Sequence, residues 1–225
     1  MQNFRDFGYT KPLREKHQLI LIDARRHGKS DKPHTPESYV FETLVKDTVS
    51  ILDALDIEKS HFMGYSFGGR VGLGIAKYTP NRFSSLIIGG AGAVELDSAE
   101  EIKRNQAQIS KVKEGVEPLK QLMIDAGLSA SEASIRVANT DWDAMIAINM
   151  NQEHLGFDEY LPSLKLPCLF FIGENDSRYS SAKRTAGMIE NAMFVSLPGL
   201  NHAQAFRQSH LILPQIQEFL AENNQ

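Results

Sequence analysis

Hydrophobic residues in this chain cluster in short continuous runs rather than alternating ones. The first is Gln18 to Ala24 (QLILIDA), and similar runs recur at His61 to Tyr65 (HFMGY), Phe83 to Gly89 (FSSLIIG), Cys168 to Gly173 (CLFFIG) and Ala192 to Leu197 (AMFVSL). Unbroken apolar runs of this length are expected of strands buried on both faces of a parallel sheet. Between the first two runs, Phe41, Leu44, Val45, Thr48, Leu52 and Leu55 fall on one face of a helix spanning Tyr39 to Leu55, with Pro36 ahead of it. A second helix is expected from just after Ser66 to Tyr78, ended by Thr79 and Pro80, a third over Ser181 to Glu190, and a last one over Leu211 to Ala221. Strands alternating with helices predict an α/β fold, a parallel sheet with helices on both faces.

The stretch 94–164 breaks this rhythm. It carries helical patterns at Ala99 to Lys113, Val116 to Ala126, Ser131 to Asn139 and Asp141 to Met150 but no strand-like run. It reads as a helical cap inserted into a sheet domain made of residues 1–93 and 165–225.

The overall charge of −4 leaves no broad basic face for a nucleic acid to bind. Cys168 is the only cysteine and lies inside an apolar run, where a buried inert thiol is the expectation. Met1 to Asp6 lacks the basic start and apolar stretch of a secretory signal, and no apolar run approaches the ~20 residues needed to span a bilayer. A soluble cytoplasmic protein is therefore expected. His17, His34, His61, His154 and His210 sit singly, without zinc-ligand spacing; neither metal nor cofactor is expected.

Candidate chemistry lies where strand-like runs end. Gly64-Tyr65-Ser66-Phe67-Gly68-Gly69 follows one such run and opens a helix, the context a G-x-S-x-G nucleophile elbow requires. So tight a turn strains the serine backbone, and Gly64 and Gly68 are expected to lack side chains so that strand and helix can approach. A serine hydroxyl needs a base, and the base an orienting carboxylate. Asp176 follows the CLFFIG run in Gly173-Glu174-Asn175-Asp176, and His202 follows the AMFVSL run in Pro198-Gly199-Leu200-Asn201-His202. The three candidate catalytic residues, Ser66, Asp176 and His202, thus stand at three strand ends on one edge of the sheet. Phe67, through its backbone N–H, is the candidate oxyanion donor, and Tyr65, on the other side of the serine, is a further candidate for the oxyanion or substrate site. Trp142, Met145, Ile146 and Met150 form an apolar stripe in the cap, from which Trp142 and Met145 are taken as substrate-contacting candidates. Arg178 and Tyr179 follow the acid and are read as a solvated loop.

With these motifs in place, the chain resembles an α/β-hydrolase of the lid-bearing group of small esterases and lactonases. Asp23-Ala24-Arg25-Arg26-His27-Gly28-Lys29-Ser30-Asp31 resembles the family's D-x-R-G-H-G-x-S segment, with Arg26 standing where the family has glycine and His27 at a structural position. The resemblance also implies two antiparallel strands and a third ending in an H-G oxyanion loop, none of which is found here; Asn3 to Leu13 resembles the helix that follows that loop. The absent third strand belongs between QLILIDA and HFMGY. A gap there leaves backbone groups unpaired at ~1–3 kcal/mol each, so QLILIDA is expected to move over and pair with HFMGY, or a second subunit to supply the pairing, with an exposed sheet edge favouring a homo-oligomer.

The expected activity is acyl-enzyme hydrolysis of a small carboxylic ester or lactone, with a second oxyanion donor drawn from Met1 to Phe4 or Arg25 to Gly28. The alternative from another class is a ligand-binding or signalling protein that keeps the pocket without turnover; a shortened chain with weak activity is a third.

Overall fold

A computed structural model describes residues 2–93, 99–125, 127–150 and 156–224. Four parallel strands, β1 (Ser60–Tyr65), β2 (Phe83–Gly89), β3 (Cys168–Gly173) and β4 (Ala192–Leu197), form one sheet in sequential order. Around it lie α1 (Gln2–Asp6), α2 (Thr10–Leu13), α3 (Phe41–Ala54), α4 (Phe67–Tyr78), α5 (Ala99–Glu114), α6 (Val116–Asp125), α7 (Ala130–Ala138), α8 (Trp142–Met150), α9 (Phe157–Tyr160), α10 (Tyr179–Gly187), α11 (His202–Arg207) and α12 (Leu213–Glu222). The expected start of the cap at Val94, and His154, lie outside the described residues.

The period of two along a strand sorts side chains into two cores. Leu86 and Ile88 of β2 and Cys168 and Phe170 of β3 pack with α3, α4 and α10, while Ile87, Leu169 and Phe171 pack on the other face with Tyr9, Leu13, Ile216 and Phe219. Helices therefore cover both faces, as the continuous apolar runs require. Cys168 is buried, and burial pushes its thiol up to about 12, so it is an inert core residue. The four helices α5 to α8 lie between β2 and β3 in the chain, and Ala144 and Ala147 of α8 join the α3/α4 side of the core. No helix among the described residues is long and apolar enough to cross a membrane.

The expectation of a first strand over Gln18 to Ala24, paired directly with β1, is overturned. The segment forms no ladder, and among the described residues its N–H groups donate to no backbone carbonyl. Its side chains still alternate between the cores, Leu19 in one and Ile20 in the other, as in β2 and β3. What it lacks among the described residues is a neighbouring strand at ladder distance. Among the described residues β1 is paired on its β2 side only, and its first four residues are half-buried.

Candidate active site

β1 runs directly into α4 through Ser66, whose φ of 55° and ψ of −110° place a non-glycine residue in a disfavoured conformation. Such strain costs on the order of 1–3 kcal/mol and is held here by its surroundings. The Ser66 N–H donates to the Gly89 carbonyl at 2.8 Å, and the Ser66 carbonyl accepts from the Arg70 N–H at 3.0 Å, so the residue is fixed to β2 and α4 at once. A Cβ on Gly64 would lie 2.2 Å from the Gly68 carbonyl oxygen, whereas one on Gly68 would meet nothing within 4 Å. The expectation that both glycines permit the close approach is thus corrected: Gly64 must lack a side chain, and Gly68 contributes its backbone carbonyl. Phe67 opens α4, so its N–H has no intrahelical acceptor and is free to point at an anion.

The loops after β3 and β4 are laced together. Glu174 and Asn175 donate their N–H groups to Leu197 and Leu200, and the Asn175 side chain donates to the Gly199 carbonyl at 2.9 Å. A Cβ on Gly173 would stand 2.1 Å from the Leu200 carbonyl oxygen, so that approach also needs glycine. This framework presents Asp176 to His202: Nδ1 of His202 lies 2.5 Å from Oδ2 of Asp176, while Oδ1 accepts the Arg178 N–H at 3.0 Å. The Asp176 side chain is wholly buried and that of His202 is 31% exposed, so a dry carboxylate holds an imidazole whose far edge reaches solvent. Burial raises the Asp176 pKa, but the His202 hydrogen bond and charge together with the Arg178 N–H outweigh it and leave the carboxyl below its ordinary value.

His202 is the first residue of α11, and Asn201 caps that helix in a reciprocal box with Gln204. Tyr65, the residue before the serine, donates its hydroxyl to the His202 carbonyl at 2.6 Å and stacks flat on Phe206 at 4.3 Å. Burial, with Asp176 nearby, raises the Tyr65 pKa, so its hydroxyl stays a donor. A Cβ on Gly90, just past β2, would sit 3.0 Å from Cε1 of His202. The imidazole therefore hangs over the strand end whose Gly89 carbonyl accepts the Ser66 N–H.

The loop 23–31 approaches from the other side. Arg25 clamps Asp47 of α3 through two hydrogen bonds of 2.9 Å, and Asp23 accepts the Lys29 N–H at 3.3 Å. Between them Arg26 adopts a φ of 77°, the left-handed conformation that accounts for glycine at this position in the resembled motif. The ring of His27 lies 5.1 Å from that of Phe67.

The cap candidates divide. Met145 reaches the core, its sulfur 3.4 Å from Nη1 of Arg26. Trp142 donates its indole N–H to the Val137 carbonyl at 3.1 Å and so closes α7. Met150 is exposed. Tyr179 opens α10 and packs on Phe194 of β4. Tyr65 is a site candidate from the elbow motif, expected at the oxyanion or substrate, but its hydroxyl is spent on the His202 carbonyl; Arg136 was not read from the sequence, because a lone helical arginine carries no local signal. No group of three His, Cys, Asp or Glu among the described residues is placed to hold a metal ion.

The family model for the α/β hydrolase fold matches residues 4–117. The chain belongs to the α/β hydrolase family. It is 36% identical over 92 residues to 3-oxoadipate enol-lactonase 1 of Acinetobacter baylyi, covering 39% of this chain and 34% of that protein. It is 32% identical over 78 residues to a putative carbamate hydrolase, RutD, of Caulobacter segnis, covering 35% of this chain and 29% of that protein. The matched stretch thus spans about a third of the length of these curated relatives. In three dimensions the chain superposes on a thermophilic esterase from Thermogutta terrifontis with a TM-score of 0.82 at 20% identity, over 100% of this chain and 86% of that one. An esterase from Exiguobacterium antarcticum gives 0.83 at 18%, over 98% and 87%. Similarity at that level of identity shows the fold alone.

Proposed function

We propose that this chain is a serine hydrolase of carboxylic esters or lactones that works through an acyl-enzyme on Ser66. The observation that carries the reading is the 2.5 Å pair of buried Asp176 with His202, on the same sheet edge as a strained elbow serine. In this reading Oγ of Ser66 attacks the substrate carbonyl while its proton passes to Nε2 of His202, and Asp176 stabilises the imidazolium that forms. The oxyanion takes the Phe67 N–H as one donor. Collapse of the tetrahedral intermediate breaks the ester C–O bond, and the leaving alkoxide collects the proton from His202. Water, deprotonated by the same imidazole, then attacks the acyl-enzyme and regenerates Ser66. Names of relatives, an enol-lactonase and an esterase among them, support the substrate class.

The test is 4-nitrophenyl acetate and butyrate hydrolysis by the chain and by Ser66→Ala, paired with fluorophosphonate labelling. Turnover and labelling that both vanish in the mutant are expected. Equal near-background rates in the two proteins, with no labelling of either, would overturn the hydrolase reading in favour of a ligand-binding protein.

A further inference from the structure

Arg26 is an expensive residue to keep where it stands. It holds the left-handed backbone at a φ of 77°, and its Nε is buried with no hydrogen-bond partner. The rest of its guanidinium rests on soft or neutral groups: Nη1 on the Met145 sulfur at 3.4 Å, Nη2 on Nε2 of His27 at 3.0 Å, and Cζ 5.8 Å from the centre of the Phe67 ring. Because an arginine N–H only donates, Nε2 of His27 must be bare, leaving the Nδ1 proton to the Arg25 carbonyl at 3.2 Å. His27 is therefore neutral, and burial first, the Arg26 charge second, push its pKa down to about 4.

A second cation comes from the cap. Arg136 on α7 is an exposed residue whose charge is felt by both Arg26 and His27. Among the described residues neither arginine is paired with a carboxylate. The neighbouring carboxylates are engaged elsewhere: Glu132 bonds Arg207 at 2.7 Å, and Asp141 bonds His34 at 3.1 Å and the Ala144 N–H at 3.0 Å. Arg26 is thus a desolvated cation over the ring of the residue that follows the nucleophile, and the exposed Arg136 adds a like charge to its surroundings. Such an arrangement repels itself until an anion enters, and a carboxylate matches the planar fork of a guanidinium.

We infer that Arg26 binds a carboxylate on the acyl part of the substrate, with the Arg136 charge adding to the attraction, making this a site for esters or lactones of dicarboxylic acids. The inference rests on the hydrolase reading for the identity of the reacting bond, but the anion site itself does not depend on turnover. The kinetic test compares the 4-nitrophenyl monoester of glutaric acid with 4-nitrophenyl pentanoate, a neutral ester of the same chain length. The chain is expected to favour the anionic ester at least tenfold in kcat/KM, and Arg26→Gly, which installs the residue this backbone prefers, to bring that ratio near one. Arg136→Gln is expected to lower the ratio as well.

A binding test runs beside it, with free glutarate titrated calorimetrically into Ser66→Ala and into the double variant carrying Arg26→Gly. Tighter binding to the single variant is expected, and it supports the anion site even if neither ester is turned over, in which case only the hydrolase reading falls. An anionic-to-neutral ratio unchanged by Arg26→Gly overturns the inference. So does equal glutarate affinity in the two serine variants.

Discussion

Two sets of loops meet at the carboxyl end of this sheet, and they are built on opposite plans. In the loops after β3 and β4 the polar groups that count are already matched: both oxygens of Asp176 are bonded, Asn175 reaches across to Gly199, and Asn201 and Gln204 cap α11. In the loop 23–31 the flanks are equally tied, by Arg25 on Asp47 and Asp23 on Lys29, yet Arg26 between them keeps a buried Nε without a partner. The first plan suits groups that stabilise developing charge, which must be in place before the reaction starts. The second suits a group whose partner arrives with the ligand.

The comparison breaks most sharply at Asp176. Asp176→Asn keeps the size of the side chain but turns the His202 tautomer the wrong way, and a loss of about 10⁴-fold in kcat is expected. A loss under tenfold would mean that Asp176 does not act through His202. The next largest effect is on the elbow. Gly64→Ala forces a Cβ to within 2.2 Å of a backbone oxygen, and overpacking of that kind costs up to about 3 kcal/mol, or roughly 6–12 °C in Tm at 2–4 °C per kcal/mol. Gly68→Ala, facing open space, is expected to leave Tm within about 2 °C; thermal unfolding of both variants checks the pair. Tyr65→Phe keeps the stack on Phe206 and removes only the hydroxyl bonded to the His202 carbonyl. A net hydrogen bond of about 1 kcal/mol makes the expected fall in kcat about fivefold, with KM for 4-nitrophenyl butyrate unchanged. A shift confined to KM would place Tyr65 in substrate binding rather than beneath the base.

Much of this arrangement was legible in the sequence because it is local. The strands β1 to β4 announce themselves as apolar runs, and Ser66, Asp176 and His202 each lie within a few residues of a run's end, so topology brings them to one edge. Gln18 to Ala24 carries the same signal as β3, yet β3 has a strand on either side and the Gln18 segment has none. Apolar character places a segment against a core, but a strand also needs a partner at ladder distance, and that partner is not encoded in the segment itself. The same limit applies to Arg26. Its departure from a glycine motif was visible in the sequence, but its unpaired Nε and its seat against Met145 and Phe67 arise only when distant parts of the chain are brought together.

The smallest expected effects separate the two plans by stability. Arg26→Gly releases the left-handed strain and a desolvated charge while losing the contacts to Met145 and Phe67, and a net gain of about 1 kcal/mol corresponds to ~2–4 °C in Tm. The same variant changes how stability depends on pH. His27 titrates at about 4 in the folded protein against 6.5 ordinarily, so between these values the unfolded chain binds a proton that the folded chain refuses, and stability falls as pH drops through that window. Burial is the larger cause, and the charges of Arg26 and Arg136 add to it, against the Arg25 carbonyl, which favours the proton. Removing Arg26 brings the folded-state pKa back towards its ordinary value and narrows the window from below. Asp176 acts lower: its depressed pKa stabilises the fold above the usual carboxylate range, and that contribution is lost only as pH falls through its folded-state value, in both proteins alike. Urea unfolding at pH 6.5 and pH 4, the two ends of the His27 window, is therefore expected to lose less stability in Arg26→Gly than in the parent; equal losses would show that the guanidinium does not act on His27.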